Sequence, residues 1–226
     1  MIYDVMTLFP EMIEGYCSQS IIKRGIDEGI IKVNTHNFRD YTLDKHKKVD
    51  DTPYGGGGGM VLMAQPVFDC FRAIEKKDNS IFIMLTPQGE KYSQKTAVEL
   101  SKYEQIILLC GHYEGYDERI RLGLNPKEIS IGDYVVTSGE LGALILIDSI
   151  SRNLKGFLGE DICSLNDSFS PGLEGLLEYP QYTKPREYEG MKVPEVLLSG
   201  NHGEIEKYRK NESIKRTKLK RPDLIK

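Results

Sequence analysis

Apolar positions along the chain fall into short, nearly continuous runs separated by longer stretches of helical periodicity. Ile2 to Leu8 predicts a first strand closed by Pro10, and Met12, Tyr16, Ile21 and Ile26 carry helical spacing through Glu11 to Glu28. Ile30 to Asn37 predicts a second strand. Ser80 to Leu85 (SIFIML) and Gln105 to Cys110 (QIILLC) suit strands covered on both faces, as in a parallel sheet. Helices are predicted over Val61 to Lys76 and Tyr92 to Tyr103, and briefly over Asp117 to Leu122. The longest signal is Ile129 to Arg152, ISIGDYVVTSGELGALILIDSISR, where a strand end passes through glycine-bearing turns into an apolar helix from Leu141. This alternation predicts an α/β fold with a mainly parallel sheet.

Three of the buried-strand signals end in glycine turns: Thr86-Pro87-Gln88-Gly89, Gly111-His112-Tyr113-Glu114-Gly115, and Ile131 to Gly139. In an open parallel sheet such turns lie at the carboxyl ends of the strands, where ligands bind. Glycine lets the backbone approach a ligand closely, and a helix start offers unpaired N–H groups. Phe38 to Met60 is a long polar connection holding five consecutive glycines, Gly55 to Gly59. A loop longer than roughly 12 to 15 residues is usually functional or disordered. Met60 and Val61 stand where a phosphate-binding Walker loop needs Lys and Ser or Thr, which argues against a nucleoside triphosphatase. Beyond Arg152, Asn153 to Gly175 is rich in Gly, Ser, Asn and Asp and reads as a linker carrying an isolated carboxylate at Asp167. Leu176 to Val193 is punctuated by proline, and Pro194 to Leu198 and Glu204 to Lys220 predict two further helices.

At 226 residues the chain suits one domain plus a smaller one, and 39% apolar with 28% charged residues is the balance of a soluble globular protein. No apolar run approaches the roughly 18 residues of a membrane span, and MIYDVMTLFPEM lacks a signal peptide's basic start, so a cytoplasmic location is expected. Cys17, Cys70, Cys110 and Cys163 are scattered and read as buried free thiols. His36, His46, His112 and His202 show no ligand spacing, Asp50-Asp51 reads more readily as a solvated loop pair, and no metal site is predicted. Net charge is −4, but His202 to Lys226 carries nine basic residues against four acidic ones, leaving an acidic body with a basic tail. That asymmetry suggests a local polyanion contact. A glycine-lined cleft, a long glycine loop, a carboxylate in a linker and a basic tail fit an enzyme that modifies a nucleic-acid base.

The blocks PYGGGGGM (Pro53 to Met60), SIFIMLTPQG (Ser80 to Gly89), CGHYEGYDER (Cys110 to Arg119), SIGDYVVTSGEL (Ser130 to Leu141), LIDSISR (Leu146 to Arg152), NDSF (Asn166 to Phe169), YPQYTKP (Tyr179 to Pro185) and PEVLLSGNH (Pro194 to His202) occur in this order. Together the sequence resembles the bacterial tRNA (guanine-N1)-methyltransferases nearly end to end. The resemblance implies S-adenosylmethionine as methyl donor and ring N1 of the guanosine just 3′ of the tRNA anticodon as acceptor. It also implies a trefoil-knotted α/β domain of the SPOUT class over residues 1–155, a flexible linker over 156–175 and a small helical, basic tRNA-binding domain over 176–226. An obligate homodimer with active sites at the subunit interface is implied too, with no DNA and no membrane among its partners.

Carried over position by position, the resemblance assigns the donor to Thr86, Pro87, Gln88 and Gly89, to Gly111, Tyr113, Glu114 and Gly115, and to Ile131, Gly132, Asp133, Tyr134, Val135, Val136, Gly139 and Leu141. Asp167 would be the general base and Arg152 its partner. Asp50, Tyr54, Gly55, Gly56, Gly57, Gly59 and Glu114 would line the guanine side, and Lys215, Arg216 and Lys218 would take the tRNA backbone. Glu114 could also ligate magnesium, though nothing in its spacing demands a metal. The chain departs from the family's more usual SGGELPA at Ser138, which adds a side chain beside the donor pocket, and at Gly142, which loosens a helix start that Pro would pre-organise. Gly58 stands where Pro is common in the family. A catalytically inactive RNA-binding protein of the same fold is the alternative, and the presence of Asp167 and Arg152 speaks against it.

Overall fold

A computed structural model describes residues 1–158 and 166–225. The chain forms two compact units, Met1–Gly159 and Glu160–Lys226. In the first unit the strands are β1 (Ile2–Thr7), β2 (Lys32–Asn37), β3 (Asp50–Asp51), β4 (Val61–Leu62), β5 (Ser80–Lys91), β6 (Gln105–Leu109) and β7 (Lys127–Ser130). Five of them make one parallel sheet in the order β2-β1-β6-β5-β7, while β3 and β4 pair antiparallel by themselves. The helices are α1 (Pro10–Cys17), α2 (Ser20–Asp27), α3 (Ala64–Ala73), α4 (Gln94–Leu100), α5 (Glu118–Leu124) and α6 (Glu140–Ser151).

Side chains alternate across a strand, so each central strand feeds two cores. Tyr3, Val5, Ile83, Ile106 and Leu108 pack with residues of α1, α2, α4 and α6 on one face. Met6, Met84, Ile107 and Leu109 pack with residues of α3 and α5 on the other. This double burial is why QIILLC shows no polar alternation. Each fully buried side chain of this kind contributes about 1.5–3 kcal/mol relative to exposure.

The expected α/β alternation is present, with four differences in detail. The helical stretch expected over Glu11 to Glu28 is two helices, because the chain turns at Ser18-Gln19 and Ser20 takes a left-handed φ of 52°. Both pieces keep an apolar face on the sheet, so the periodicity survives the break. The helix expected from Val61 starts at Ala64, since Val61 and Leu62 are taken up in pairing with Asp51 and Asp50. Thr86 to Gly89 is not a strand-to-helix turn. β5 runs through it, and Leu85 and Glu90 both stand opposite Ile129 of β7, so Thr86 to Gly89 are pushed out of the ladder as a bulge. The following helix begins only after Ser93, whose hydroxyl accepts the Thr96 N–H at 3.2 Å.

In the second unit α7 (His202–Lys220) is capped by Asn201, whose side chain accepts the Glu204 N–H. Ser213 and Thr217 of α7 are buried where they bond the backbone of Leu177. Leu176 to Val193 holds a short hairpin of β8 (Glu187–Tyr188) and β9 (Met191–Lys192) that its prolines conceal. The expected linker is organised where it is described: a 3-10 turn spans Pro171–Leu173, and the Phe169 N–H donates to the Leu176 carbonyl at 2.8 Å. Its residues 159–165, including Cys163, lie outside the described residues. Among the described residues no helix is long and apolar enough to cross a membrane.

Candidate functional site

A cavity of about 350 Å³ opens at the carboxyl ends of β5, β6 and β7. Its walls are the Thr86–Gln88 bulge, the Gly111–Tyr116 turn after β6 and the stretch from Ile129 to Gly139 between β7 and α6. Three segments far apart in sequence therefore meet at one sheet edge. Every residue expected to hold the donor lines this cavity except Gly89, Asp133 and Leu141. Gly89 sits at the foot of the bulge, where a Cβ would lie 2.4 Å from the Ile129 nitrogen. Asp133 is exposed and paired with Lys91 at 3.0 Å, and Leu141 lies on the exposed side of α6.

Glycine is required at two of these positions. The Gly139 N–H donates to the Gly111 carbonyl at 2.8 Å, and a Cβ on Gly139 would stand 2.5 Å from the Gly111 nitrogen. The start of α6 thus crosses the end of β6 with no room for a side chain. A Cβ on Gly111 would meet the Tyr116 hydroxyl at 2.6 Å. That hydroxyl lies within hydrogen-bond reach of the Leu85 and Leu109 carbonyls, at 3.0 and 3.2 Å, tying the ends of β5 and β6 together. Full burial pushes its pKa well above the ordinary tyrosine value.

Arg121, Ser138 and His112 also line the cavity, and of these only Arg121 was not expected near it. Arg121 of α5 is largely buried and forks between Glu128 and Glu118, each at 2.9 Å, with Thr86 Oγ1 at 3.5 Å. Burial works against its charge, yet the two carboxylates more than offset this and raise its pKa. Arg121 therefore braces the bulge as a fixed cation rather than standing free for a ligand. Ser138 is buried and lines the cavity, so the extra side chain does reach the site. His112 lines it too, and its Nε2 lies 2.8 Å from Glu140, which is wholly buried at the first turn of α6. Burial alone would raise the Glu140 carboxyl; hydrogen bonds from His112 and Thr7 outweigh it and hold the pKa below the usual range.

The glycine loop is fastened beside this cavity. The Glu114 N–H donates to Met60 and the Leu62 N–H to Gly115, both at 2.9 Å, and a Cβ on Gly59 would meet the Glu114 side chain at 2.4 Å. Gly55, Gly56, Gly57 and Gly59 all take positive φ, and Tyr54 is fully exposed. Asp50 is close enough to Tyr113 that, after burial, its carboxylate helps to raise the tyrosine's pKa, with Arg39 opposing. So Asp50 and Gly59 sit behind the cavity-lining Tyr113 and Glu114, while Tyr54 to Gly57 stand out in solvent.

Arg152 is the C-cap of α6, roughly 15 Å along the helix from cavity-lining Gly142 at 1.5 Å per residue. Asp167 belongs to the second unit, half-buried, with its carbonyl accepting the Ser170 N–H. Lys215 and Lys218 are exposed on α7 and Arg216 is partly buried; Lys215 has Glu212 at 3.5 Å. Among the described residues no group of three or more His, Cys, Asp or Glu is placed to hold a metal ion.

The family model for tRNA (guanine-1)-methyltransferase TrmD matches residues 1–226. A tRNA (guanine-N(1)-)-methyltransferase of Staphylococcus carnosus is 54% identical over 222 residues, covering 98% of this chain and 89% of the relative. One from Halalkalibacterium halodurans is 54% identical over 224 residues (98% and 90%), and one from Geobacillus kaustophilus 52% over 223 residues (98% and 90%).

Proposed function

Because the chain belongs to the tRNA (guanine-1)-methyltransferase family, we propose that it methylates ring N1 of the guanosine just 3′ of the tRNA anticodon, with S-adenosylmethionine as donor. The observation that carries this reading is the cavity in which three glycine-bearing segments meet at the carboxyl edge of a parallel sheet. Its character suits a nucleoside donor. Leu85, Ile129 and Ile131 offer an apolar wall, and among the described residues the N–H groups of Val135 to Ser138 have no backbone acceptor. Backbone donors of this kind can read an adenine edge while Gly111 and Gly139 keep the floor free of side chains. The donor, when bound, supplies a methyl group at a sulfonium carbon, open to in-line displacement.

The chain's own groups handle the acceptor. Guanine N1 carries a proton, so its lone pair is free only as that proton leaves. The Asp167 carboxylate takes it, a contribution of about 10²- to 10⁴-fold for a positioned general base. Charge then grows on O6 of the base, where the Arg152 guanidinium stabilises it. Arg152 stands at the far end of α6 from its own cavity, which supports an active site completed by a second copy of the chain. An exposed apolar surface on α1 and α6 supports the same homodimer: Met12, Tyr16, Leu141 and Ile145 are each at least 41% exposed, and the Tyr16 hydroxyl donates to Asp148. The crossing of Gly139 over Gly111 supports the trefoil knot of the SPOUT class. The first unit is then the donor-binding domain, the basic α7 contacts the tRNA backbone, and the enzyme works in the cytoplasm.

Methyl transfer from labelled S-adenosylmethionine into unmodified tRNA tests this directly, comparing guanosine with adenosine 3′ of the anticodon. Label only in the guanosine tRNA is expected. Label in neither, with the donor still bound, would leave the inactive RNA-binding protein instead. Asp167→Asn is expected to abolish transfer while tRNA affinity stays within a few-fold; normal turnover would remove Asp167 from the role of base.

A further inference from the structure

One buried polar cluster reaches the cavity wall without belonging to the donor or acceptor residues above. Glu140 accepts hydrogen bonds from the Thr7 hydroxyl at the end of β1 and from His112 Nε2 after β6. Thr7 Oγ1 in turn accepts the Phe9 N–H at 2.9 Å, and the Phe9 ring lies 4.9 Å from the His112 ring. An ionised carboxylate only accepts, so His112 carries a proton on Nε2 and its ring is fixed in one orientation in the wall. The same carboxylate sits one residue from Gly139, at the crossing of α6 over β6. An apolar side chain could fill this point. A buried, fully partnered charge does more, because it admits one arrangement of all its partners.

We propose that Thr7, Glu140 and His112 form the positioning device of the donor cavity. Glu140 pins the first turn of α6 to the ends of β1 and β6, holds the His112 ring as part of the wall, and so fixes the Gly132–Gly139 segment in the geometry that receives the donor. Glu140 acts through His112 and the backbone, not on the reacting atoms. The inference rests on the reading of this cavity as the donor site.

Calorimetric titration of S-adenosylmethionine into the full chain tests it, using Glu140→Gln, His112→Phe, their double variant and Asp4→Asn. Asp4 is the control. It is a similarly buried carboxylate in the same sheet, held by Asn34, His36 and Gln105, and it does not line the cavity. Glu140→Gln and His112→Phe are each expected to weaken the donor about 10-fold, the size of a lost charge-assisted hydrogen bond. The double variant should weaken it no further than the worse single, because the two act as one unit. Asp4→Asn should lower the melting temperature and leave donor affinity within about two-fold. At saturating donor the methylation rate of Glu140→Gln should stay within a few-fold of the parent. If His112→Phe does not fold, Thr7→Val takes its place with the same expected direction. Donor affinity unchanged in Glu140→Gln, or lost equally in Asp4→Asn, overturns the proposal alone. A parent protein that binds no donor overturns the reading of the cavity and this proposal with it.

Discussion

Replacing Gly139 by alanine isolates one steric clash. Gly139 has φ −73° and ψ −16°, a conformation alanine adopts without strain, so the backbone preference of glycine plays no part. The added Cβ would lie 2.5 Å from the Gly111 nitrogen and 2.7 Å from the Cys110 Cα. Carbon atoms settle at about 3.5–4.0 Å from one another, so the start of α6 must back away from β6 by about 1 Å. Both neighbours are backbone and cannot rotate aside. The move stretches the 2.8 Å hydrogen bond from Gly139 to Gly111 beyond useful range. Overpacking costs about 1–3 kcal/mol and the broken hydrogen bond about 1 kcal/mol more. For a chain of this length that is a fall in melting temperature of about 5–15 °C. Gly15→Ala on α1 is the matched reference, since nothing lies within 4 Å of its added Cβ. There the same chemical change should stabilise by about 0.5–1 kcal/mol through helix propensity alone. Thermal melts of both variants, with donor titration, read the difference. Gly139→Ala melting within a degree of the parent with unchanged donor affinity would refute the crossing as described.

Neutralising Lys215, Arg216 and Lys218 to glutamine should reduce the salt slope of tRNA binding by about 0.7–0.9 for each phosphate that the helix ceases to neutralise; an unchanged slope would make α7 a merely solvated face. Glu140 and Asp4 are both held below their unfolded pKa values, in each case by hydrogen bonds that outweigh burial. Their stabilisation is therefore complete above the unfolded carboxylate values near 4 and lost as pH falls through the lower folded ones. Urea midpoints from pH 7 down to 3 should fall less steeply for Glu140→Gln than for the parent, and parallel curves would contradict the sign. Burial pushes the Cys17 thiol up to about 11 and the Cys70 thiol up to about 12, so alkylation at pH 8 should require denaturant. Rapid labelling of either in the folded protein would show it more open than this.

The strands were legible where burial on both faces leaves an unbroken apolar run, as in Ser80 to Leu85 and Gln105 to Cys110. Their order was not. An apolar run carries no mark of its neighbour, and β6 lies between β1 and β5 only because the chain returns to fill that place. Register is equally non-local. TPQG looks like a turn in its own sequence and becomes a bulge only against Ile129, some forty residues later. The break between α1 and α2 was hidden for the opposite reason, since both helices obey one period on one sheet face.

The same distinction divides the residues of the site. Glycines at Gly111 and Gly139 announce a close approach wherever the chain takes them, because no side chain could replace them there. Arg121 and Glu140 announce nothing. Glu118 and Arg121 read as an ordinary i,i+3 surface pair, and only the fold turns the guanidinium onto Glu128. Glu140 reads as an acid favoured by a helix start in solvent, yet it is buried with partners 28 and 133 residues away. A polar group's cost of burial is settled by whichever group meets it, so its role is written in the pairing of distant segments. The steric demand of a crossing falls on one backbone position and can be read there. That is why the walls of the cavity could be found from sequence, while the groups that brace those walls had to wait for the fold.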